Sequence, residues 1–269
     1  GAVVCISPWN LPLYLLTWKI APALVYGNTV IAKPSEVTPL TAFLLAEVCQ
    51  KVGLPAGVLN IVHGLGADVG ETLCTHPLVK AVSFTGSTQT GRKIAIQCAP
   101  HFKKVSLEMG GKNPSILFQD IDLKETLPEV ARSIFSNQGQ ICLCSSRIYI
   151  EKSIYEKVKL QLVEISKNWA CGDPLDPQTK SGAVVSKEHF EKILHCIALA
   201  KQEGGNILLG GNAVKLEGRC ENGYFIEPTI IEGLGAHCQT NMEEIFGPVV
   251  TLQSFETEAE ALALANACD

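Results

Sequence analysis

Short apolar runs alternate with longer segments of mixed polarity along the first 118 residues of the chain. The runs are rich in β-branched residues and comprise Ala2–Ile6, Thr29–Ala32, Leu59–Val62, Ala81–Phe84, Val105–Leu107 and Ser115–Phe118. One segment between them, Thr41–Val52, has apolar residues at helical spacing and is followed by Gly53, a typical stop signal. This alternation of strand and helix predicts a mostly parallel sheet with right-handed crossovers and helices on both faces.

The spacing of the apolar runs changes after Gly110 and Gly111, a glycine pair that permits a tight turn of the backbone. We therefore expect two domains, 1–110 and 111–269. The second is predicted to contain helices at Leu123–Asn137 and Ile154–Trp169, a strand at Arg147–Ile150, a helix-strand unit over Lys187–Leu209 and a turn-rich stretch, Gly210–Gly223. The first domain is an open α/β unit of the Rossmann-like, dinucleotide-binding kind, and the second is also α/β.

Composition narrows the classes of partner. A hydrophobic content of 46% excludes disorder, and a net charge of −5 gives no electrostatic reason to expect nucleic acid or an anionic membrane. The apolar runs fall short of the roughly 18 residues needed to span a bilayer. Eleven cysteines, an odd number in a chain of this size, favour a reducing, cytoplasmic setting over a disulfide framework. We expect a small-molecule substrate.

No metal site is expected from the sequence. Cys142 and Cys144 are two positions apart, and neither a Cys-x-x-Cys nor a His-Glu-x-x-His pattern occurs.

Two segments could bind a dinucleotide. The segment from Phe84 to Gly91 places glycines and hydroxyl residues where a strand meets a helix N-terminus, which favours a pyrophosphate. Because Gly-x-Gly-x-x-Gly is absent, an ordinary strand-to-helix turn remains an alternative. In the other segment, Lys33 and Glu36 follow a strand, where a carboxylate can accept both ribose hydroxyls and repel a 2′-phosphate. That arrangement favours NAD over NADP, the alternative being a solvated loop.

Three further residues could carry chemistry. Cys142 follows a glycine-containing polar turn, where backbone amides can favour the reactive thiolate, whereas Cys144 is interpreted as a structural neighbour. Glu108 is a lone acid at an apolar strand end, and apolar surroundings would suit it to general-base work. Asn10 follows the first strand and could donate a hydrogen bond to an oxyanion. Taken singly, each is more often an inert thiol or a satisfied polar group.

Together these segments resemble the aldehyde dehydrogenase superfamily, in the family's order and along essentially the whole chain. The segments that carry the resemblance are Pro8-Trp-Asn10, Lys33-Pro-Ser-Glu36, Phe84-Thr-Gly-Ser87, Leu107-Glu-Met-Gly-Gly-Lys112, Asn137-Gln-Gly-Gln-Ile-Cys142 and Glu243-Glu-Ile-Phe-Gly-Pro248. The resemblance implies that the chain is an oxidoreductase with the family's fold, a dinucleotide domain at 1–110 and a thiol domain at 111–269.

The family's roles carry over by position. Cys142 is then the nucleophile, Glu108 the general base and Asn10 the oxyanion amide. The implied NAD contacts are Ser7, Pro8, Trp9, Lys33, Ser35, Glu36, Gly86, Ser87, Met109, Glu244 and Phe246. Leu15, Trp18 and Ile141 would form the apolar wall of the substrate pocket. The implied reaction passes through a thiohemiacetal, hydride transfer to the nicotinamide and a thioester, which Glu108 hydrolyses by activating water.

The finer resemblance concerns the segments Trp9–Trp18 and Gly139–Ile150, which look most like the branch of the family that oxidises 2-aminomuconic semialdehyde in tryptophan catabolism. Family members extend beyond both ends of this chain, which we therefore expect to be an internal fragment of a homo-oligomeric dimer or tetramer. Two alternatives remain: acyl transfer to coenzyme A instead of water, and a non-catalytic structural or inert form of the fold.

Overall fold

The computed structural model describes residues 1–268, and the chain divides into two compact units, 1–110 and 111–269. The strands and helices of the first unit are β1 Ala2–Ile6, α1 Pro12–Val25, β2 Thr29–Lys33, α2 Leu40–Lys51, β3 Leu59–Ile61, α3 Glu71–Thr75, β4 Val79–Gly86, α4 Thr88–Cys98 and β5 Lys104–Met109. All five strands pair in parallel, in the order β3-β2-β1-β4-β5.

Side chains of β1 alternate between the two faces of the first sheet, as a strand period of two requires. Val4 and Ile6 pack with residues of α3 and α4, including Cys74 and Ile94. Cys5 points to the opposite face, where α1 and α2 cover the sheet. Because helices cover both faces, β1 is apolar throughout, whereas the edge strand β5 is mostly exposed and carries Lys104, Ser106 and Glu108.

The second unit has a five-stranded sheet of its own. Its strands and helices are β6 Pro114–Leu117, α5 Leu123–Phe135, β7 Arg147–Glu151, α6 Tyr155–Ser166, α7 Lys187–Gln202, β8 Asn206–Leu209, β9 Ala213–Val214, β10 Phe225–Ile226, β11 Thr229–Glu232, α8 Gln239–Met242, β12 Val249–Phe255 and α9 Glu258–Ala265. The order is β6-β7-β12-β11-β8, parallel except for β8, while β9 and β10 form a separate antiparallel pair. Ile230 faces the core under α5 and α6, and its neighbour Ile231 faces α7.

The predicted fold class is confirmed, with differences at element ends. The helix predicted over Leu123–Asn137 ends at Phe135, because Ser136 has a non-helical ψ of 136° and Asn137 and Gln138 then adopt left-handed backbone angles. The helix predicted over Ile154–Trp169 is α-helical only over Tyr155–Ser166 and is flanked by 3-10 turns. The apolar run predicted at Ser115–Phe118 corresponds to β6, Pro114–Leu117, which belongs to the second sheet because it pairs with β7.

None of the helices within residues 1–268 combines the length and apolar character needed to cross a membrane.

Candidate active site

The motif residues of the first unit lie along the carboxyl edge of its sheet. Strand register pairs Ile6 with both Lys33 and Phe84, and it pairs Gly86 with Met109. The backbone N–H of Ser7, directly after β1, donates to the Lys33 carbonyl at 3.2 Å. The strand order changes direction between β1 and β4, and open α/β sheets bind ligands at that point, outside the carboxyl ends of the strands.

Lys33 and Glu36 form a fixed pair at this edge. The Lys33 ammonium is buried and donates to Glu36 Oε2 at 3.0 Å and to the Pro34 carbonyl at 3.1 Å. Partial burial raises the pKa of Glu36, but a backbone N–H and the Lys33 ammonium outweigh it and hold the pKa below its usual value. Ser35 supports the turn by accepting a hydrogen bond from the Val37 N–H. The Glu36 carboxylate is therefore an oriented, ionised acceptor with 44% of its side chain exposed.

A cleft of about 570 Å³ opens beside this pair. Ile6, Phe84 and Ile94 give it an apolar lining, and the Gly66–Gly70 turn forms another part of its wall. Lys33, Glu36 and Lys93 place charges at the same cleft. An apolar surface beside an ionised acceptor fits an adenosine, whose base is planar and whose ribose carries two donor hydroxyls.

Ser87 begins α4 at the end of the Phe84–Ser87 motif. Its hydroxyl accepts a hydrogen bond from the Thr90 N–H at 3.3 Å and donates one to Thr90 Oγ1 at 3.0 Å, so it is the N-cap of the helix. Gly86 lies against the Phe84 ring, which a Cβ at that position would meet at 2.5 Å. A larger residue at this position would therefore have to displace the Phe84 ring.

Asn10, the predicted oxyanion amide, is half-buried, whereas Glu108, the predicted general base, is exposed. Asn10 is half-buried in the loop between β1 and α1, next to Trp9, whose carbonyl accepts a hydrogen bond from the Thr38 hydroxyl. Glu108 lies near the end of β5 and is exposed, with Thr85 Oγ1 donating to its carboxylate at 3.5 Å. The prediction of apolar surroundings for Glu108 is therefore wrong, because β5 is at the edge of the sheet and leaves the side chain exposed.

Two residues of the predicted substrate wall lie on α1. Leu15 is buried, whereas Trp18 is 60% exposed and its ring lies 5.4 Å from that of Tyr14. The same helix carries Lys19, which the motifs did not single out. Lys19 is buried, its ammonium donates to Ser83 Oγ at 3.2 Å, and burial lowers its pKa while the charge of Glu108 acts in the opposite direction.

Cys142 of the second unit follows a loop with an uncommon backbone. Asn137, Gln138 and Gly139 have φ angles of 49°, 57° and 69°, three successive left-handed residues of which only one is glycine. Each non-glycine residue in that conformation costs about 1–2 kcal/mol, so the loop needs external support. Gln140 supplies part of it, because its side chain donates to the Asn137 carbonyl and accepts from the Val185 N–H.

Asn113 contacts the other side of the loop that carries Cys142, residues 136–145, which we call the thiol loop. Its amide nitrogen donates to the carbonyls of Cys142 at 2.6 Å and Cys144 at 3.1 Å. The Asn113 carbonyl in turn accepts the N–H groups of Ser146 and Arg147. The sequence indicated a reactive cysteine here but did not identify this contact, since the two segments are 29 residues apart.

A small cavity of about 20 Å³, large enough for one water molecule, brings Cys142 together with Glu244 and Phe246. Ile141 and Gly247 also line it. Burial raises the pKa of Glu244, although the Gly111 N–H, which donates to Oε1 at 3.3 Å, acts in the opposite direction. The predicted nucleophile and the two predicted nicotinamide contacts of this unit therefore line the same cavity.

Two glycines set how closely the loops around this cavity approach. A Cβ at Gly139 would lie 2.1 Å from the Gly247 carbonyl oxygen, far inside contact distance. The thiol loop and the Glu244–Pro248 segment thus touch backbone to backbone, and no side chain fits between them.

The neighbouring thiol differs from Cys142. Cys144 donates to the Ser136 carbonyl at 3.7 Å, and burial raises the pKa of its thiol to about 11. A thiol held protonated in this way is a poor nucleophile, which agrees with the structural role expected for it. None of the cysteines within residues 1–268 forms a disulfide, and no cluster of three or more metal-ligating side chains occurs in that range.

Comparison with known proteins places these motifs in context. A profile described as aldehyde dehydrogenase family matches residues 1–269. The 2-aminomuconic semialdehyde dehydrogenases of Danio rerio and Homo sapiens are 49% and 50% identical to the chain over 268 residues. Each match covers 99% of this chain and 55% of the relative, so the chain spans about half the length of these curated relatives.

The fold is also shared with solved structures. Betaine aldehyde dehydrogenase from Staphylococcus aureus, crystallised with NAD⁺, superposes with a TM-score of 0.94 at 40% identity. The superposition covers all of this chain and 53% of the solved one.

Proposed function

Because the chain belongs to the aldehyde dehydrogenase family, we propose that the protein carrying it oxidises an aldehyde to the carboxylic acid with NAD, using Cys142 as nucleophile. The observation that carries the proposal is the cavity shared by Cys142, Glu244 and Phe246. A catalytic thiol needs the cofactor's reactive end beside it, and these are the residues to which the family resemblance assigns that end.

The cofactor assignment rests on the first unit. The ionised Glu36 beside an apolar cleft suits the ribose and base of an adenosine, and its negative charge disfavours a 2′-phosphate. The solved neighbour from Staphylococcus aureus was crystallised with NAD⁺, which supports the same choice. NAD supplies the hydride acceptor, and the protein side chains supply the rest of the chemistry.

The proposed chemistry assigns one role to each motif residue. The Cys142 thiolate attacks the aldehyde carbon, and the Asn10 amide donates to the oxygen that becomes negative. Loss of hydride from the resulting thiohemiacetal leaves a thioester on Cys142. Glu108 then takes a proton from water, whose oxygen attacks the thioester and releases the acid and the thiol.

The substrate proposed is a semialdehyde such as 2-aminomuconic semialdehyde, a compound of tryptophan catabolism. Identity near 50% to enzymes of that name supports this choice over other aldehydes. We further propose a cytoplasmic, homo-oligomeric protein, on the grounds of its cysteine content and of the family resemblance.

The test compares two cysteines in the protein that carries this chain. Cys142→Ala should abolish aldehyde-dependent NADH formation, whereas Cys144→Ala, two residues away, should retain most of it. Glu108→Gln should give a burst of NADH followed by slow turnover, because acylation proceeds and hydrolysis does not. Turnover retained by Cys142→Ala would overturn the proposal.

Acyl transfer to coenzyme A is the second candidate reaction, and Glu108 argues against it because a water-activating base hydrolyses the thioester. Faster turnover with coenzyme A and an acyl-thioester product would favour that reaction instead. A chain that neither binds NAD nor alkylates faster at Cys142 than at Cys144 would be an inert form of the fold.

A further inference from the structure

Phe246 has a backbone conformation that aromatic residues rarely adopt. Its φ angle is +61°, in the left-handed region, where a Cβ is crowded by the neighbouring carbonyl. The residue lies in the segment that carries Glu244 to the cavity beside Cys142. A conformation of this kind persists only when surrounding contacts hold it.

One such contact comes from His189 in the first turn of α7. Its Nε2 lies 2.7 Å from the Phe246 carbonyl oxygen, and the two rings meet edge-on with centroids 6.2 Å apart. A carbonyl oxygen can only accept, so Nε2 carries the hydrogen. Burial lowers the pKa of His189, so at neutral pH the ring is the neutral Nε2–H tautomer.

The same helix fixes the residues on either side of Phe246. The Lys192 ammonium donates to the Glu244 carbonyl at 3.2 Å. The Ile193 side chain occupies the space beside Gly247, where a Cβ would meet it at 2.7 Å. Positions 189, 192 and 193 have the i, i+3, i+4 spacing of a single helix face. One face of α7 therefore contacts Glu244, Phe246 and Gly247.

We propose that His189 is a positioning residue, whose hydrogen bond to the Phe246 carbonyl holds this segment in the left-handed conformation that places Phe246 and Glu244 at the cavity beside Cys142. The inference rests on the proposed function for its effect on NAD, but the contact itself is independent of it. The sequence gives no local sign of this role, because the two residues are 57 positions apart.

The decisive comparison uses two amides of different reach. In His189→Gln, the amide nitrogen stands where Nε2 stands in histidine and can donate to the same carbonyl. In His189→Asn, the amide is one methylene shorter and falls short of it. His195→Gln, on the exposed side of the same helix, is the matched control.

Steady-state kinetics supply the first measurement. For His189→Asn, we expect kcat/KM for NAD to fall about tenfold, the effect of losing one buried hydrogen bond. His189→Gln should stay within about twofold of the parent, and His195→Gln should be unchanged. Equal losses in the Gln and Asn variants, or no loss in either, would overturn the inference while leaving the proposed function intact.

Hydrogen exchange supplies a measurement that needs no catalysis. The amides of residues 245–247 should exchange about tenfold faster in His189→Asn than in His189→Gln, because only the Asn variant loses the hydrogen bond to the Phe246 carbonyl. Exchange that is the same in both variants would contradict the proposed contact. If the parent binds no NAD but exchange differs as expected, the proposed function fails and the positioning role stands.

Discussion

Arg147 is the largest of the fully buried side chains in the described part of the chain. Its guanidinium donates twice to the Lys112 carbonyl, at 2.9 and 2.6 Å, and once to the Tyr149 hydroxyl. It also reaches the carbonyls of Leu264 and Ala265 at the end of α9. The Arg147 side chain therefore joins residues 111–113, which contact Glu244 and Cys142, to the end of α9.

Arg147→Lys should destabilise the second unit by about 3 kcal/mol, because an ammonium cannot reproduce the planar fork and leaves buried carbonyls without donors. Urea unfolding monitored by tryptophan fluorescence would measure the loss. Arg132→Lys is the control, since the Arg132–Glu129 pair is exposed and its replacement should change stability by less than about 0.5 kcal/mol. Equal effects of the two substitutions would show that the Arg147 network contributes little.

Sequence motifs located residues whose neighbours along the chain reveal them, such as Lys33 with Glu36, three positions apart. They did not locate Asn113 or His189, whose partners lie 29 and 57 positions away. Hydrogen bonds of that kind depend on how distant segments fold together, and no local pattern encodes them.

Helix α4 has an N-cap that doubles as a candidate ligand contact. Ser87 satisfies the Thr90 N–H in the described structure, and the family resemblance assigns the same residue to the cofactor pyrophosphate. The two roles make different demands on the side chain. An N-cap needs an acceptor, which a carboxylate provides well, while a pyrophosphate repels a carboxylate.

Ser87→Asp should therefore keep the stability of the first unit and weaken NAD binding by about tenfold or more. Ser87→Ala should lose about 1 kcal/mol of stability through the missing cap and weaken NAD binding less. Thermal unfolding and NAD titration by calorimetry separate the two effects. Should Ser87→Asp bind NAD as tightly as the parent does, the pyrophosphate assignment would be wrong.

Element prediction worked where burial on both sheet faces produced continuous apolar runs, as in β1 and β2. It overran the end of α5, because the polar residues Ser136 and Asn137 were predicted to continue the helix. Ser136 instead leaves the helical conformation, and Asn137 and Gln138 follow with left-handed angles. The contacts that hold those angles come from the Gln140 side chain and from distant segments.

At the scale of the whole molecule, the two units carry different parts of the proposed chemistry. The cleft beside Lys33 and Glu36 is lined only by residues of the first unit. The cavity beside Cys142 is lined only by residues of the second. Adenosine binding by the first unit can therefore be measured without catalysis.

NAD at a hundred times its dissociation constant should stabilise the first unit by about 2.7 kcal/mol, because it binds the folded state alone. Hydrogen exchange should then slow in residues 33–36 and 65–71 and along α4. NADP is the control ligand, and repulsion of its 2′-phosphate by Glu36 should make its effect smaller. Equal protection by both nucleotides would show that Glu36 does not select NAD over NADP.

The backbone contact between Gly139 and Gly247 has a consequence for protein engineering. Because the two loops touch backbone to backbone, the path of each depends on the path of the other, and neither can be redesigned while the other stays fixed. A chimera that imports residues 136–145 from a relative should be built with residues 243–248 from the same donor. Grafted together, the two segments keep their backbone contact. Either segment grafted alone would meet a loop from the other parent whose backbone it does not fit.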